Sequence, residues 1–229
     1  VNDHGTVCVA DPGAKAVFVL DRDRSYKRFQ HFGKTSLESP VAVVGVGGRD
    51  LFLAADSALG QVFAFNRRGR LLFTLSEGLD RPAGLAVSEN RLFGADSKRN
   101  QIIVFDLQGR ELHRFGERGS GEGQFNYPTH IATGHDGLLY VTDTMNFRVQ
   151  VFDSAGSFLR IIGKQGDSSG RFSRPKGVGV DTLGHVYVTD GLFDNIQVFD
   201  RDGRFLMDLG TAGSEAGEFW MPTDIAVSR

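Results

Sequence analysis

The sequence predicts an all-β fold built from repeated units of four short antiparallel strands. The first observation is an internal repeat: residues 128–163 return almost intact at 175–210, 47 positions later. The second is that each copy divides into four runs rich in Val, Ile, Tyr and Phe, bounded by Gly, Asp and Asn, which favour strands and tight turns. The third is that apolar residues do not recur at the helical period of 3.6. Four strands in a repeat of about 40–47 residues are typical of a β-propeller blade.

The repeat extends along the chain and predicts five blades. One aspartate closes the second strand of each repeat, and one proline opens the first strand. These residues are Asp11, Asp56, Asp96, Asp143 and Asp190, and Pro40, Pro82, Pro128, Pro175 and Pro222. We therefore expect residues 1–229 to form a single propeller domain, a size that all-β domains often reach.

The two ends of the sequence fall inside one repeat. The chain opens at a second strand and finishes after a first strand, PTDIAVSR, at 222–229. Two explanations remain open. The terminal pieces pair and close a ring of five blades, which removes exposed sheet edges, or the sequence is an excerpt of a six-bladed propeller.

The connectors between blades are rich in glycine and carry one apolar residue three positions before the proline. That residue is Phe125, Phe172 or Phe219 in the three long connectors, and Leu37 or Leu79 in the shorter ones. Glycine suits the sharp turn from the outer strand of one blade to the inner strand of the next. We expect the apolar residue to fill the gap between adjacent blades.

Composition excludes several classes of function. The net charge of −2 and the pI near 6.3 give no general attraction to nucleic acid or to an anionic membrane. No run of 18 apolar residues predicts membrane insertion. The single cysteine, Cys8, has no partner for an internal disulfide and is expected to be a small buried residue. The compartment stays open between the cytoplasm and an exported or periplasmic location.

One segment resembles a known family. Residues 140–143 (YVTD), Asn146 and residues 148–152 (RVQVF) are similar to the NHL repeat. The resemblance extends over essentially the whole chain but weakens in earlier repeats, where Ala55 and Ala95 replace the threonine. It implies a propeller, often six-bladed, so the five repeats are a departure. The glycine-rich connectors resemble those of bacterial NHL proteins.

The recurring aspartates are expected to serve the architecture rather than catalysis. A carboxylate at a strand end can accept hydrogen bonds from backbone N–H groups of the following loop. Equivalent copies in every repeat indicate a scaffold, because a catalytic group normally breaks the symmetry of a repeat. We therefore look for function where the repeats differ.

The loops between second and third strands predict a partner-binding face. They carry large apolar residues at positions that are normally polar, with charged residues among them. The predicted residues are Leu59, Lys98, Arg99, Met145, Phe147, Arg148, Leu192, Phe193 and Asp194, to which Tyr127 and Trp220 can add. Exposed aromatic and apolar residues rimmed by charge favour binding of a protein or peptide. The alternative is that these side chains fold inward against the neighbouring blade.

The inner strands predict a second, polar site. Two positions after each proline, three repeats carry Ala or Gly, whereas the other two carry His130 and Asp224. A histidine and an aspartate facing a central channel could hold a divalent cation or a small polar ligand, or exchange a proton. The alternative is a hydrogen-bonded polar plug. We expect no cofactor, with a divalent cation at His130 and Asp224 as the exception.

The function predicted from the sequence is a non-catalytic binding scaffold. The first alternative is a metal-dependent lyase or lactonase-like enzyme acting at His130 and Asp224. Resemblance to a zinc-dependent lyase of similar fold implies histidines directly after the blade prolines, but Val, Ala, Thr, Lys and Thr stand there. The second alternative is binding of single-stranded RNA. Basic residues in the turns between third and fourth strands are interleaved with Asp and Glu, which disfavours it.

Overall fold

The computed structural model describes residues 6–21, 23 and 25–227, and strands and turns make up nearly all of them. Within that range the one helical element is a single 3-10 turn, η1, Thr144–Asn146. No helix in the described part of the chain is long and apolar enough to cross a membrane. The predicted all-β fold is confirmed.

Five antiparallel sheets follow one another along the chain, and we number them as blades 1 to 5. Blade 1 has three strands within the described residues: β1 (Val7–Asp11), β2 (Ala16–Leu20) and β3 (Tyr26–Phe29). A short pair follows it, β4 (His31–Phe32) and β5 (Thr35–Ser36). Blade 2 comprises β6 (Pro40–Gly45), β7 (Phe52–Asp56), β8 (Gln61–Phe65) and β9 (Leu71–Leu75).

The remaining three blades each have four strands in sequence order. Blade 3 comprises β10 (Pro82–Ser88), β11 (Arg91–Asp96), β12 (Gln101–Asp106) and β13 (Glu111–Phe115). Blade 4 comprises β14 (Pro128–Thr133), β15 (Leu139–Asp143), β16 (Arg148–Phe152) and β17 (Phe158–Ile162). Blade 5 comprises β18 (Pro175–Val180), β19 (Val186–Asp190), β20 (Asn195–Phe199) and β21 (Phe205–Leu209). A short parallel pair follows, β22 (Thr211–Ala212) and β23 (Glu218–Phe219).

The described chain forms two compact units, the first ending at His113 and the second running from Arg114 to Val227. Blades 1 and 2 lie in the first unit, blades 4 and 5 in the second, and the boundary falls within β13. The single domain expected from the sequence stays a prediction.

The cores lie between consecutive blades, because the middle strands are covered on both faces. Every residue of β7, β15 and β16 is buried. In the second unit one cluster joins Val149 and Val151 of blade 4 to Val186 and Val188 of blade 5. Strands buried on both faces read as nearly continuous apolar runs, as VQVF and IQVF do here.

Four of the five apolar anchors of the connectors are buried, as the sequence predicts, and the fifth, Phe219, is half-buried. Phe125 and Phe172 are fully buried, and Leu37 and Leu79 are nearly so. Phe172 belongs to the cluster between blades 4 and 5, and its ring centroid lies 5.6 Å from that of Phe199. Each anchor therefore fixes a connector to the core of its own unit.

The segment after the last connector runs beside β18. A β-carbon on Gly177 would lie 2.6 Å from Asp224 Cα, so the two backbones approach closely only because residue 177 is glycine. Residues 222–227 carry no strand assignment, and residues 228–229 lie outside the described part. Pairing of this segment with the first strands of the chain stays a prediction.

Candidate functional site

Buried aspartates fasten the loops and connectors of the blades, as the sequence predicts. Asp190 shows the pattern: its carboxylate accepts hydrogen bonds from the backbone N–H groups of Ser173 and Arg174 in the connector, and of Leu192 and Phe193 in the loop, at 2.8–3.3 Å. Asp56 and Asp96 accept equivalent sets, which come from Glu38, Ser39, Ala58 and Leu59, and from Asp80, Arg81, Lys98 and Arg99. The carboxylate thus holds the two surface segments together.

Blade 4 departs from this pattern because Asp143 binds side chains. Its carboxylate accepts hydrogen bonds from Asn146 Nδ2 at 2.8 Å, Arg148 Nε at 2.9 Å and Gln150 Nε2 at 3.1 Å, besides the backbone N–H of Asn126. Burial raises the pKa of the Asp143 carboxyl, and these donors oppose the rise. The network makes the loop of blade 4 different from the others.

The predicted place of Arg148 on an exposed rim is wrong. Its side chain is only 9% exposed, because the guanidinium group turns inward to Asp143 and also donates to the carbonyl oxygens of Gly121 and Gln124, at 2.7 and 2.9 Å. A buried ion pair that is reinforced by further hydrogen bonds is a structural element. Arg148 supports the loop face from below and is not available to a partner.

Two buried glutamines hold the long connectors, and sequence reasoning missed them. Gln150 accepts a hydrogen bond from Gly123 N–H at 3.0 Å and donates to the carbonyl oxygen of Gln124 at 2.7 Å. Gln197 does the same in blade 5 with Gly170 and the residue after it, Arg171. The available signal was a polar residue at the centre of an otherwise apolar strand. The equivalent residues of blades 2 and 3, which follow short connectors, are phenylalanine and isoleucine.

The loop residue four positions after each aspartate adopts a left-handed backbone. The five residues and their φ angles are Lys15 (49°), Gly60 (64°), Asn100 (56°), Phe147 (56°) and Asp194 (51°). Glycine and asparagine suit this conformation, whereas a bulky residue such as Phe147 is strained in it. The side chain of Phe147 packs against the core between blades 4 and 5, which compensates for the strain.

The predicted partner-binding residues divide into buried and exposed sets. Leu59 and Phe147 pack against the cores of their units. For these two residues the alternative holds, in which the side chain folds inward and does not face a partner. Met145 and Leu192 are 54% and 58% exposed, while Phe193 and Asp194 are half-buried. Lys98 and Arg99 are exposed in the first unit and pair with Asp80, with Arg99 Nε 3.1 Å from its carboxylate.

The second unit carries its exposed apolar residues on adjoining loops and connectors. Met145 donates its backbone N–H to the carbonyl oxygen of Asn126 at 3.1 Å, which places it beside the exposed Tyr127. Met221 donates its backbone N–H to Asp194 Oδ1 at 2.6 Å, and Trp220, next to it, is 78% exposed. We call loops 144–147 and 191–194, together with connectors 119–128, 166–175 and 213–222, the loop face.

The structure brings His130 and Asp224 together. Nε2 of His130 lies 3.5 Å from Oδ1 of Asp224, whose side chain is 66% exposed. Burial lowers the pKa of His130, the charge of Lys176 lowers it further, and Asp224 opposes both. The imidazole is therefore neutral at pH 7.

Two buried polar atoms beside this pair have no hydrogen-bond partner among the described residues. They are Nδ1 of His130 and Oγ1 of Thr142, which sits opposite His130 in the β14–β15 pairing. No group of three or more His, Cys, Asp or Glu residues in the described part of the chain could hold a metal ion. The arrangement suits a water molecule or a small polar ligand better than a multidentate metal site.

Comparison with known proteins assigns the repeat. The sequence profile of the NHL repeat matches residues 125–152, which cover the anchor, Asp143 and the Arg148 strand of blade 4. Blade 4 thus contains an NHL repeat. It is 30% identical over 123 residues to the protein brain tumor of Drosophila melanogaster, a match that covers 51% of this chain and 12% of that relative. The chain thus spans a small part of the relative it matches.

Solved structures of similar fold include two lyases. Virginiamycin B lyase from Staphylococcus aureus superposes with a TM-score of 0.73 at 15% identity, covering 100% of this chain and 73% of the lyase chain. A streptogramin B lyase superposes with a TM-score of 0.72 at 14% identity, covering 96% of this chain and 67% of the other. Similarity at this level of identity concerns the fold alone.

Proposed function

We propose that this chain is a non-catalytic binding module that holds a protein or peptide partner on the loop face of its second unit. The observation that carries the proposal is the set of exposed apolar side chains on that face: Tyr127, Met145, Leu192, Trp220 and Met221. Tryptophan, tyrosine and methionine are enriched where proteins bind one another. An NHL-repeat propeller is a fold typical of protein-binding scaffolds, which supports the same proposal.

The loops that present these side chains are fixed before any partner arrives. Asp190 fastens loop 191–194 to its connector, and Asp143 fastens loop 144–147 through its side-chain network. Loops on a rigid scaffold lose little conformational entropy when they bind, which favours affinity. The backbone of the face thus supplies preorganisation, and the apolar side chains supply contact area.

A displayed library of random 12-residue peptides tests the proposal. We expect the wild-type protein to enrich a family of peptides, and a variant with Leu192→Ser and Met145→Ser to lose at least about tenfold in affinity for them. The matched control is Leu159→Ser with Leu206→Ser, which changes equally exposed leucines on the outer strands β17 and β21. Failure to enrich any peptide, or equal loss in the control, would contradict the proposal.

The second candidate function is an enzyme acting at His130 and Asp224. The specific observation in its favour is the 3.5 Å approach of a neutral imidazole to a carboxylate, beside two unpartnered buried polar atoms. Lyases share the fold, as the comparison shows, although the chemistry of those lyases does not transfer at 15% identity. Metal analysis of the purified protein tests the metal-dependent form. One equivalent of tightly held zinc or calcium, lost in His130→Ala, would favour it.

A further inference from the structure

Two cations at the end of connector 166–175 and directly after it have no charged partner among the described residues. Arg174 is exposed at the end of connector 166–175, and Lys176 is half-buried at the start of β18. Neither forms an ion pair with any residue that the structure describes, in contrast to Lys98 and Arg99 of the first unit, which share Asp80. The two aspartates of the adjoining loop, Asp190 and Asp194, are occupied by backbone N–H groups.

These cations adjoin the apolar residues of the loop face. The carbonyl oxygen of Arg174 accepts a hydrogen bond from Gly191 N–H at 3.0 Å, directly before the exposed Leu192. A β-carbon on Gly191 would lie 3.8 Å from Cγ of Lys176 and 3.5 Å from the carbonyl oxygen of Pro222. Lys176 and the end of connector 213–222 therefore both lie beside Gly191, at the start of loop 191–194. We call Arg174, Lys176, Leu192, Trp220 and Met221 the loop-191 patch.

The ammonium group of Lys176 has no ion-pair partner among the described residues. Burial lowers the pKa of its ammonium group, and the positive charge of Arg174 lowers it further. Removing a cation from water without a counter-ion destabilises its charged form, and a carboxylate placed nearby reverses that effect. Lys176 is therefore a half-buried cation without an ion-pair partner among the described residues, next to apolar surface.

We propose that the loop-191 patch binds an acidic peptide segment, in which an Asp or Glu side chain contacts Lys176 and Arg174 while flanking apolar residues cover Leu192, Trp220 and Met221. This inference rests on the proposed function and names the class of partner. Charge complementarity selects the partner, and the apolar contacts supply most of the affinity.

The same face is poorly suited to a nucleic acid. A phosphate backbone needs a continuous positive track, because its affinity depends on neutralising several phosphates at once. The patch offers two cations, and the connectors on either side carry exposed acidic residues, Asp167 and Glu215. These acidic residues disfavour a chain of phosphates more than a single carboxylate.

Selection from the displayed 12-residue library tests the inference with two proteins, the wild type and a variant carrying Arg174→Glu and Lys176→Glu. We expect wild-type binders to carry an Asp or Glu flanked by apolar residues, and to lose about tenfold or more in affinity for the variant. We expect the variant to enrich peptides with Lys or Arg in the same place. Arg174→Glu alone changes an exposed side chain, and this single variant is used if the double variant does not fold.

The control is Arg204→Glu, which reverses an equally basic position in the turn between β20 and β21, and should leave affinity within about twofold. Binders without acidic residues that still depend on Leu192 would overturn this inference and leave the proposed function standing. Failure to enrich any binder would overturn both. If a 12-nucleotide oligouridine bound more tightly than the selected peptides, the inference of a peptide partner would be overturned in favour of a nucleic acid.

Discussion

At the scale of single residues, the buried aspartates carry the architecture of the loops. Asp190 accepts backbone N–H groups from two segments that would otherwise be separate, and it is fully buried. Replacing Asp190 leaves several backbone N–H donors without an acceptor. Each unsatisfied donor lowers the free energy of unfolding by about 1–3 kcal/mol. The sequence predicts this role, because the residue recurs at the same place in every repeat.

We expect Asp190→Ala to lower the free energy of unfolding by about 3 kcal/mol or more, measured by urea denaturation monitored by circular dichroism. Asp202→Ala is the control: Asp202 is exposed in the turn before β21 and should change stability by less than about 0.5 kcal/mol. Equal effects at both positions would show that the hydrogen bonds of Asp190 do not hold the loop.

His130 predicts a pH dependence of stability. Its pKa in the folded protein is lowered by burial, so below about pH 6.5 the unfolded state binds the proton more readily than the folded state does. Stability contributed by the neutral imidazole is therefore complete at pH 8 and declines as the pH falls through 6.5. We expect the difference in unfolding free energy between the wild type and His130→Asn to shrink from pH 8 to pH 5. A difference that stays constant would mean that His130 is accessible to solvent.

The sequence did not predict the surroundings of two side chains, those of Arg148 and Phe147. Arg148 was expected at the surface because it adjoins exposed loop residues, but Asp143 draws its guanidinium group inward. Phe147 occupies a backbone conformation that normally selects glycine or asparagine, so no residue propensity predicts it there. Both outcomes depend on contacts made in the folded state: Arg148 with Asp143 on the paired strand, and Phe147 with the core between blades 4 and 5. A single sequence without structure does not supply those partners.

At the scale of elements, the connectors are the parts that the sequence defines best. Their glycine pattern and apolar anchor repeat in the chain, and the structure buries four of the five anchors as expected. The glutamines that hold them, Gln150 and Gln197, escaped notice because a polar residue in a middle strand is usually assigned to an exposed face. Burial on both faces of these strands makes that assignment wrong.

The two long connectors ending at Pro175 and Pro222 provide a matched pair of variants. Phe172 is fully buried between blades 4 and 5, whereas Phe219 occupies the same position of the last connector and is only half-buried. We expect Phe172→Ala to lower the free energy of unfolding by about 3–5 kcal/mol, and Phe219→Ala to lower it by less than half as much. Thermal and urea unfolding measure both. Equal losses would indicate that Phe219 is covered in solution to the same extent.

At the scale of the whole molecule, the sequence repeat predicts the fold, and the positions at which the repeats differ indicate the function. A 47-residue period, four strand runs per copy and glycine-rich turns were sufficient to predict propeller blades, because each level of the pattern favours the same structure. The candidate site was predicted only in part. Met145 and Leu192 are exposed as expected, but the unpaired cations Arg174 and Lys176 became visible only when the structure showed which charges have partners.

The fluorescence of Trp220 tests most directly whether a peptide partner binds at the loop-191 patch. It is the one tryptophan of the chain, it is 78% exposed, and it lies within the loop-191 patch. We titrate the wild-type protein with a tryptophan-free peptide selected from the library and follow the emission spectrum. The account predicts a shift of the emission to shorter wavelength that saturates with the peptide concentration, and loss of that shift in Leu192→Ser. Saturable binding with an unchanged emission spectrum would place the partner elsewhere and contradict the account.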